Sequence, residues 1–296
     1  MSASGWPLLV TLLLWWGSTG VILYLVTRPA LRTVAMWSAS ALGVAALLGV
    51  LASKDSAGAA SAYCAFACGL LIWGWVEMSY LSGWITGPRR AQVPCPPDIS
   101  VARRFALGIR ASLWHELLIV TIGMLLLLVT RDAVNPVAAW TFAILWVMRW
   151  SAKLNLFLGV PNLNAEFFPP HLRYLETYVT RRAMNLLFPV SVTAGTFVSA
   201  LLFTHAFSTD SEFGAVAGLT LGTLMALAVL EHWFMVVPLR DAELWRWALP
   251  GKRPVADAHA DEDTPMPSRS QAPARLRRQD VAAVSNELSA RMSMLP

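Results

Sequence analysis

Seven apolar runs, each long enough to cross a lipid bilayer, constrain this 296-residue chain more than any other feature. They lie at Trp6 to Val26, Thr33 to Ala52, Ala59 to Leu81, Ala111 to Thr130, Pro136 to Leu156, Met184 to Phe207 and Phe213 to Pro238. About 20 apolar residues in helical conformation span a ~30 Å hydrocarbon core. A backbone in lipid must satisfy its polar groups within the segment or in a closed barrel, so each run is expected to be a helix. The expected fold is all-α: a polytopic membrane helix bundle of seven transmembrane helices. Composition agrees, because 56% hydrophobic residues against 14% charged, with a mean hydropathy of +0.53, is more apolar surface than a soluble domain of this length buries. The first run has spanning length and no basic flank before it, so it is read as an uncleaved helix, not a signal peptide.

The formal charge of +5 raises the question of nucleic acid, but the basic residues sit between the hydrophobic runs and not on one soluble face. They read as topology signals, and no nucleic-acid partner is expected. Arg28 and Arg32, then Arg89, Arg90, Arg103, Arg104 and Arg110, then Arg149, Lys153, Arg173, Arg181 and Arg182 fall in alternate connectors. The intervening connectors hold Lys54 and Arg131, each followed at once by an acid. The positive-inside rule then places the N-terminus outside and the C-terminus in the cytoplasm. Tryptophan concentrates near the span ends, where it is expected to anchor helices at the interface. Cys64 and Cys68 are one helical turn apart within an apolar run and Cys95 lies in a Pro-rich connector, a pattern that implies small-residue packing and no disulfide framework.

Two regions follow from composition: a helix-bundle domain over 1–250 and a cytoplasmic tail over 251–296. The stretch from Gly251 to Ala274 is too poor in apolar residues to fold alone. Val281, Val284, Leu288 and Met292 recur at helical spacing, which predicts a short amphipathic helix over 276–294; the alternative is a frayed polar tail. No internal repeat relates two halves, which argues against a transporter or channel.

Ionisable residues at membrane depth are the default functional candidates, because each costs about 2.5–3.5 kcal/mol at a helix centre. Glu77 ends the third run, His115 and Glu116 begin the fourth, and Glu231 and His232 precede the end of the seventh. All are displaced toward the cytoplasmic face, as are Arg149 and Lys153. A shared depth lets carboxylates pair with Arg149 or Lys153 and leaves imidazoles free for a metal or the magnesium of a tetrapyrrole. The bland alternative is a set of interhelical salt bridges. Adjacent residues point ~100° apart on a helix, so both members of His115–Glu116 or of Glu231–His232 need not face one site. The histidine boxes of membrane metalloenzymes are absent. The connector after the fifth run, which follows Arg149 and Lys153, carries Asn162, Asn164, Glu166 and His171 on a stretch stiffened by Pro161, Pro169 and Pro170. It is read as a partner-binding or site-capping loop, against the simpler reading of an interfacial turn. The connector after the third run, from Gly87 to Pro97, is stiff and basic and suits membrane lipid or an acidic partner segment.

At these connectors and the run ends that lead into them, Trp73-Gly74-Trp75-Val76-Glu77-Met78-Ser79-Tyr80-Leu81-Ser82-Gly83, Thr86-Gly87-Pro88-Arg89 and the stretch from Arg149 to Tyr178 resemble the PuhE family of photosynthetic complex assembly proteins of purple bacteria. Leu230-Glu231-His232-Trp233 and Leu244-Trp245-Arg246-Trp247 agree with it, and the resemblance runs from Trp6 to Pro250. It implies an accessory factor of the bacterial inner or intracytoplasmic membrane. Such a factor would serve assembly of the reaction centre and light-harvesting complex, or bacteriochlorophyll supply to it, by binding membrane subunits or pigment. The alternative is a metal-dependent membrane enzyme acting on a lipid-soluble pigment precursor. The family supplies no catalytic residues. Glu77, His115, Glu231 and His232 are therefore candidate pigment or metal ligands by depth and residue type alone.

Overall fold

Where the backbone has only lipid around it, each apolar run closes its own hydrogen bonds, and the helices found match the runs closely. They are α1 (Gly5–Val26), α2 (Arg32–Ser53), α3 (Ala59–Leu81), α4 (Val101–Val129), α5 (Val137–Leu158), α6 (Leu187–Ser208) and α7 (Glu212–Phe234). The computed structural model describes residues 5–88, 93–163, 168–238 and 241–249, so Asn164, Glu166 and the helix expected over 276–294 lie outside the described residues. Short 3-10 segments occupy Pro170–Tyr178 and Asp241–Trp245. Among the described residues there is no strand, only an isolated parallel bridge between Val160 and Arg181.

Six of the helices, all but α5, are long and apolar enough to cross a membrane, the mark of a multi-pass membrane protein. α5 equals α1, α2 and α6 in length but carries Arg149 and Lys153 in its last three turns. α4 starts at Val101, well before the apolar run that begins at Ala111. Arg103, Arg104 and Arg110 interrupt the apolarity without breaking the helix, and Ser100 Oγ caps it by accepting from the Arg103 N–H at 3.3 Å. The helix breaks at Ser112, whose φ of −125° and ψ of 16° leave the helical range. The apolar run therefore marks the membrane-depth part of α4, beyond this kink.

α3 and α7 are central: α3 packs on α1, α2, α5 and α7, while α6 lies outermost and rests mainly on α7. Phe66, Ile119, Leu126, Phe142 and Leu224 fill the middle of the bundle. Close approach of α6 to α7 depends on Gly218, where a Cβ would lie 2.7 Å from the Ala206 Cβ and 2.9 Å from the Leu202 carbonyl oxygen. Cys68 plays the packing role expected of it, its sulfur 2.6 Å from where a Cβ on Gly49 of α2 would stand. At the end where α3 and α5 begin, buried Asn135 donates to the carbonyls of Ser53 (3.1 Å) and Ser61 (2.9 Å), tying two corners together.

Beyond α7 the chain returns to α1. Trp245 Nε1 donates to the Trp16 carbonyl and Trp16 Nε1 to the Leu244 carbonyl, each at 2.9 Å. The rings of Trp15 and Trp245 meet edge to face at 5.3 Å. Trp6, Trp37, Trp84, Trp114, Trp140 and Trp233 are exposed as interfacial anchors would be, whereas Trp15 and Trp245 are buried and join elements to one another. Replacing Gly218 with Leu is expected to lower the thermal midpoint in detergent by overpacking worth about 1–3 kcal/mol. Gly17→Ala, which meets nothing within 4 Å, should leave the midpoint unchanged.

Candidate functional site

The ionisable residues singled out at membrane depth fall into two groups on opposite faces of α5. On one face, Arg149 Nε lies 2.6 Å from Glu77 Oε1 of α3. One turn along, Lys153 pairs with Glu116 of α4. Trp150 Nε1 donates to the second Glu116 oxygen at 2.7 Å, and Ser112 Oγ, at the α4 kink, donates to the first at 3.3 Å. Two acids and two bases thus balance each other inside the bundle, and α5 is tied to α3 and α4.

His115 sits between these pairs. Its ring stacks on Tyr80 at a centroid distance of 4.4 Å, and its Nε2 lies 3.8 Å from Glu77 Oε1. The side chain is completely buried, and neither ring nitrogen has a hydrogen-bond partner among the described residues. Its backbone N–H is satisfied from outside α4, donating at 3.0 Å to the carbonyl of Thr86. The kink at Ser112 interrupts the helix's own ladder, and the connector supplies the missing acceptor. Gly87 makes this approach feasible: a Cβ there would be 2.2 Å from the Arg110 carbonyl oxygen and 2.6 Å from that of Ala111. Thr86 and Gly87, at the start of the connector read as a stiff, basic surface for lipid or an acidic partner, fill the notch of α4.

On the other face of α5, His232 of α7 has both nitrogens engaged. Nδ1 lies 2.8 Å from the Ala228 carbonyl and so carries the proton, and Nε2 lies 2.9 Å from Ser151 Oγ and accepts from it. Asn155, also fully buried, donates to Ser191 Oγ of α6 at 3.1 Å. Glu231 points away from both groups, to α1, and accepts from Trp15 Nε1 at 2.7 Å. The four candidate ligands therefore separate: Glu77 and His115 adjoin, while His232 and Glu231 diverge as neighbouring helical positions do.

The loop residues serve the end of the bundle. Asn162 Nδ2 donates to the carbonyls of Phe234 (3.2 Å) and Val237 (2.6 Å), latching the connector after α5 to the end of α7. Tyr178 donates to the Val93 carbonyl at 3.1 Å, and Thr177 Oγ1 accepts the Cys95 N–H at 2.7 Å, so the two long connectors clasp each other. His171 packs on the positive-φ Gly83 and hydrogen-bonds the Leu81 carbonyl. Burial and the nearby Arg32 guanidinium hold its pKa below the ordinary histidine value, partly offset by that hydrogen bond. Trp150, Tyr80, Thr86 and Ser112 also belong to the site: the first three stand in the PuhE-like motifs, which marked their stretches but not these side chains, and for Ser112 only the shared depth of its neighbours was a signal.

Ligation of a tetrapyrrole magnesium requires an imidazole nitrogen facing an open planar slot. His115 is enclosed by Tyr80 and the Thr86 connector, and His232 is held at both nitrogens, so as packed neither fits that role. Among the described residues no three His, Cys, Asp or Glu side chains converge as metal ligands.

A family model described as "Protein of unknown function (DUF3623)" matches residues 1–256. The chain is also 39% identical over 266 residues, 88% of this chain and 95% of the relative, to the "Uncharacterized 30.4 kDa protein in puhA 5'region" of Rhodobacter capsulatus. No solved structure matches.

Two predictions follow from the geometry. Arg149→Met alone leaves Glu77 buried and unpaired and is expected to cost about 3–5 kcal/mol, whereas Arg149→Met with Glu77→Leu should recover most of that loss in detergent unfolding. For His171, the folded pKa lies below the unfolded value of ~6.5, so the unfolded chain takes up the proton first on acidification. Its contribution to stability is fully present above that pH and is lost below it. His171→Gln should flatten the pH dependence of the melting temperature in that range.

Proposed function

The chain belongs to the DUF3623 family, and on that premise we propose that it is an accessory factor for photosynthetic complex assembly. In this reading it serves the reaction centre and light-harvesting complex, or the bacteriochlorophyll supply to it, through contacts with their membrane subunits. The observation that carries the proposal is the 39% identity to a relative whose name places it in the puhA 5' region, joined to the PuhE-like motifs from Trp73 to Arg89 and from Arg149 to Tyr178. The site supports binding over catalysis, because Glu77, Glu116, Arg149 and Lys153 neutralise one another and hold three helices in place.

The same reading takes α5 as a seventh span of the bacterial inner or intracytoplasmic membrane. It matches α1, α2 and α6 in length, packs against α3 and α7, and has each of its two charges matched by a carboxylate. The N-terminus is then outside, and the arginine-rich connectors form a cytoplasmic face. The segment carrying Asn162, Asn164, Glu166 and His171 is the partner-binding part of that face.

The test is isolation of the tagged full-length protein from pigmented membranes in mild detergent, with an absorption spectrum and identification of its companions. Co-purified reaction-centre or light-harvesting subunits, and reduced near-infrared absorbance of those complexes in a deletion strain, are the expected results. A colourless preparation lacking those subunits, with normal complexes in the deletion strain, would overturn the proposal.

A further inference from the structure

At the end of the bundle remote from the charge cluster, α1, α3 and α7 part around a lateral cavity of about 700 Å³. Val10 and Leu14 of α1, Ala67 of α3, and Val216 and Leu219 of α7 give it apolar walls. From Trp6 to Leu14 the α1 wall descends about 12 Å at 1.5 Å per residue. That is close to one leaflet of a ~30 Å hydrocarbon core. Below Leu14 the crevice is filled, because Trp15 packs there with Leu227 and Trp245 and is fixed by its hydrogen bond to Glu231. The cavity therefore has the depth of a single leaflet and a closed floor.

The chemistry of its walls selects the kind of occupant: apart from Glu212 and Tyr63, the lining side chains are apolar, as alkyl chains require. At the mouth stand Glu212, exposed in the first turn of α7, and Tyr63 of α3. Neither has an ion-pair or side-chain hydrogen-bond partner among the described residues. Among the described residues no lysine or arginine lines the cavity. Of the cations elsewhere at this end, Lys54 and Arg131 face the adjacent Asp55 and Asp132 at 2.9 and 3.9 Å, and His205, in the last turn of α6, is not part of the lining. Among the described residues the mouth thus carries a negative charge without a counter-ion and a phenol without a side-chain partner, above an apolar, leaflet-deep slot.

We propose that this groove is a binding site for an ammonium-bearing phospholipid of the phosphatidylethanolamine class. The ammonium pairs with Glu212, the Tyr63 hydroxyl donates to a phosphate or ester oxygen, and the acyl chains lie along Val10, Leu14, Ala67 and Leu219. Exclusion of phosphatidylglycerol follows from the carboxylate, which offers an anionic headgroup no counter-charge.

The experiment places the full-length protein in nanodiscs of equimolar phosphatidylethanolamine and phosphatidylglycerol and counts the lipid that native mass spectrometry finds retained on release. The wild type is expected to keep phosphatidylethanolamine over phosphatidylglycerol by roughly fivefold, the factor that one charge is worth near a membrane surface. Glu212→Lys should reverse the headgroup preference, and Glu212→Gln, which removes the charge without setting a cation at the positive end of α7, should abolish it. Ala67→Phe, which fills the slot, should reduce retention of both lipids. Retention of the two lipids in their bulk ratio by the wild type, or an unchanged preference in Glu212→Lys, would overturn the assignment. So would cross-linking of a photoreactive residue at position 67 to a protein segment in native membranes in place of lipid.

Discussion

Two cations on α5, Arg149 and Lys153, lie at a depth where an unpaired charge is costly, and the placement of three helices follows from neutralising them. Glu77 near the end of α3 and Glu116 just past the kink of α4 are the only acids that reach them among the described residues. The pairing fixes α5 in rotation as well as in height, because Arg149 and Lys153 are one turn apart and must face α3 and α4 together. Without the departure at Ser112, the α4 ladder would run on unbroken, and the His115 N–H would have no need of Thr86.

The opposite face of α5 is polar too, but uncharged. Ser151 and Asn155 meet His232 of α7 and Ser191 of α6, so the helix least suited to lipid by composition has protein partners for the polar groups on both of its faces. This division puts hydrogen bonds where α6 and α7 dock and ion pairs where α3 and α4 dock. α6 is held almost wholly by α7, through the close approaches at Gly195 and Gly218 and the Ser199 hydroxyl's 2.9 Å hydrogen bond to the Gly222 carbonyl, which leaves much of its surface apolar and outward, as at Val190, Phe197 and Phe207.

The helices were legible because lipid leaves the backbone few alternatives, and apolar length alone marks them. The depth shared by Glu77, His115, Arg149 and Lys153 was legible for the same reason: topology fixes height. Rotation about the helix axis is not encoded by height, so the separation of Glu231 toward Trp15 and His232 toward Ser151 was not foreseeable. The arginines before Ala111 left Phe105 to Arg110 open between first turns of α4 and an interfacial approach, since an apolar run reports what sits in lipid and not where a helix begins. Trp15 and Trp245 were hidden differently: an indole near a span end can anchor at the interface or bury against a partner, and only the return of the chain after α7 decides between them.

The two ends of the bundle differ in a way that bears on function. Where α3 and α5 finish, the charge cluster lies beneath connectors that clasp each other through Tyr178 and Val93, Thr177 and Cys95, and Asn162 and the end of α7. A surface ordered in advance loses less conformational freedom on meeting a partner than loose loops would. The buried pairs below supply that order, since each holds an element from which a connector emerges. In the proposed reading, a factor that presents one shape to a membrane subunit is served by this arrangement.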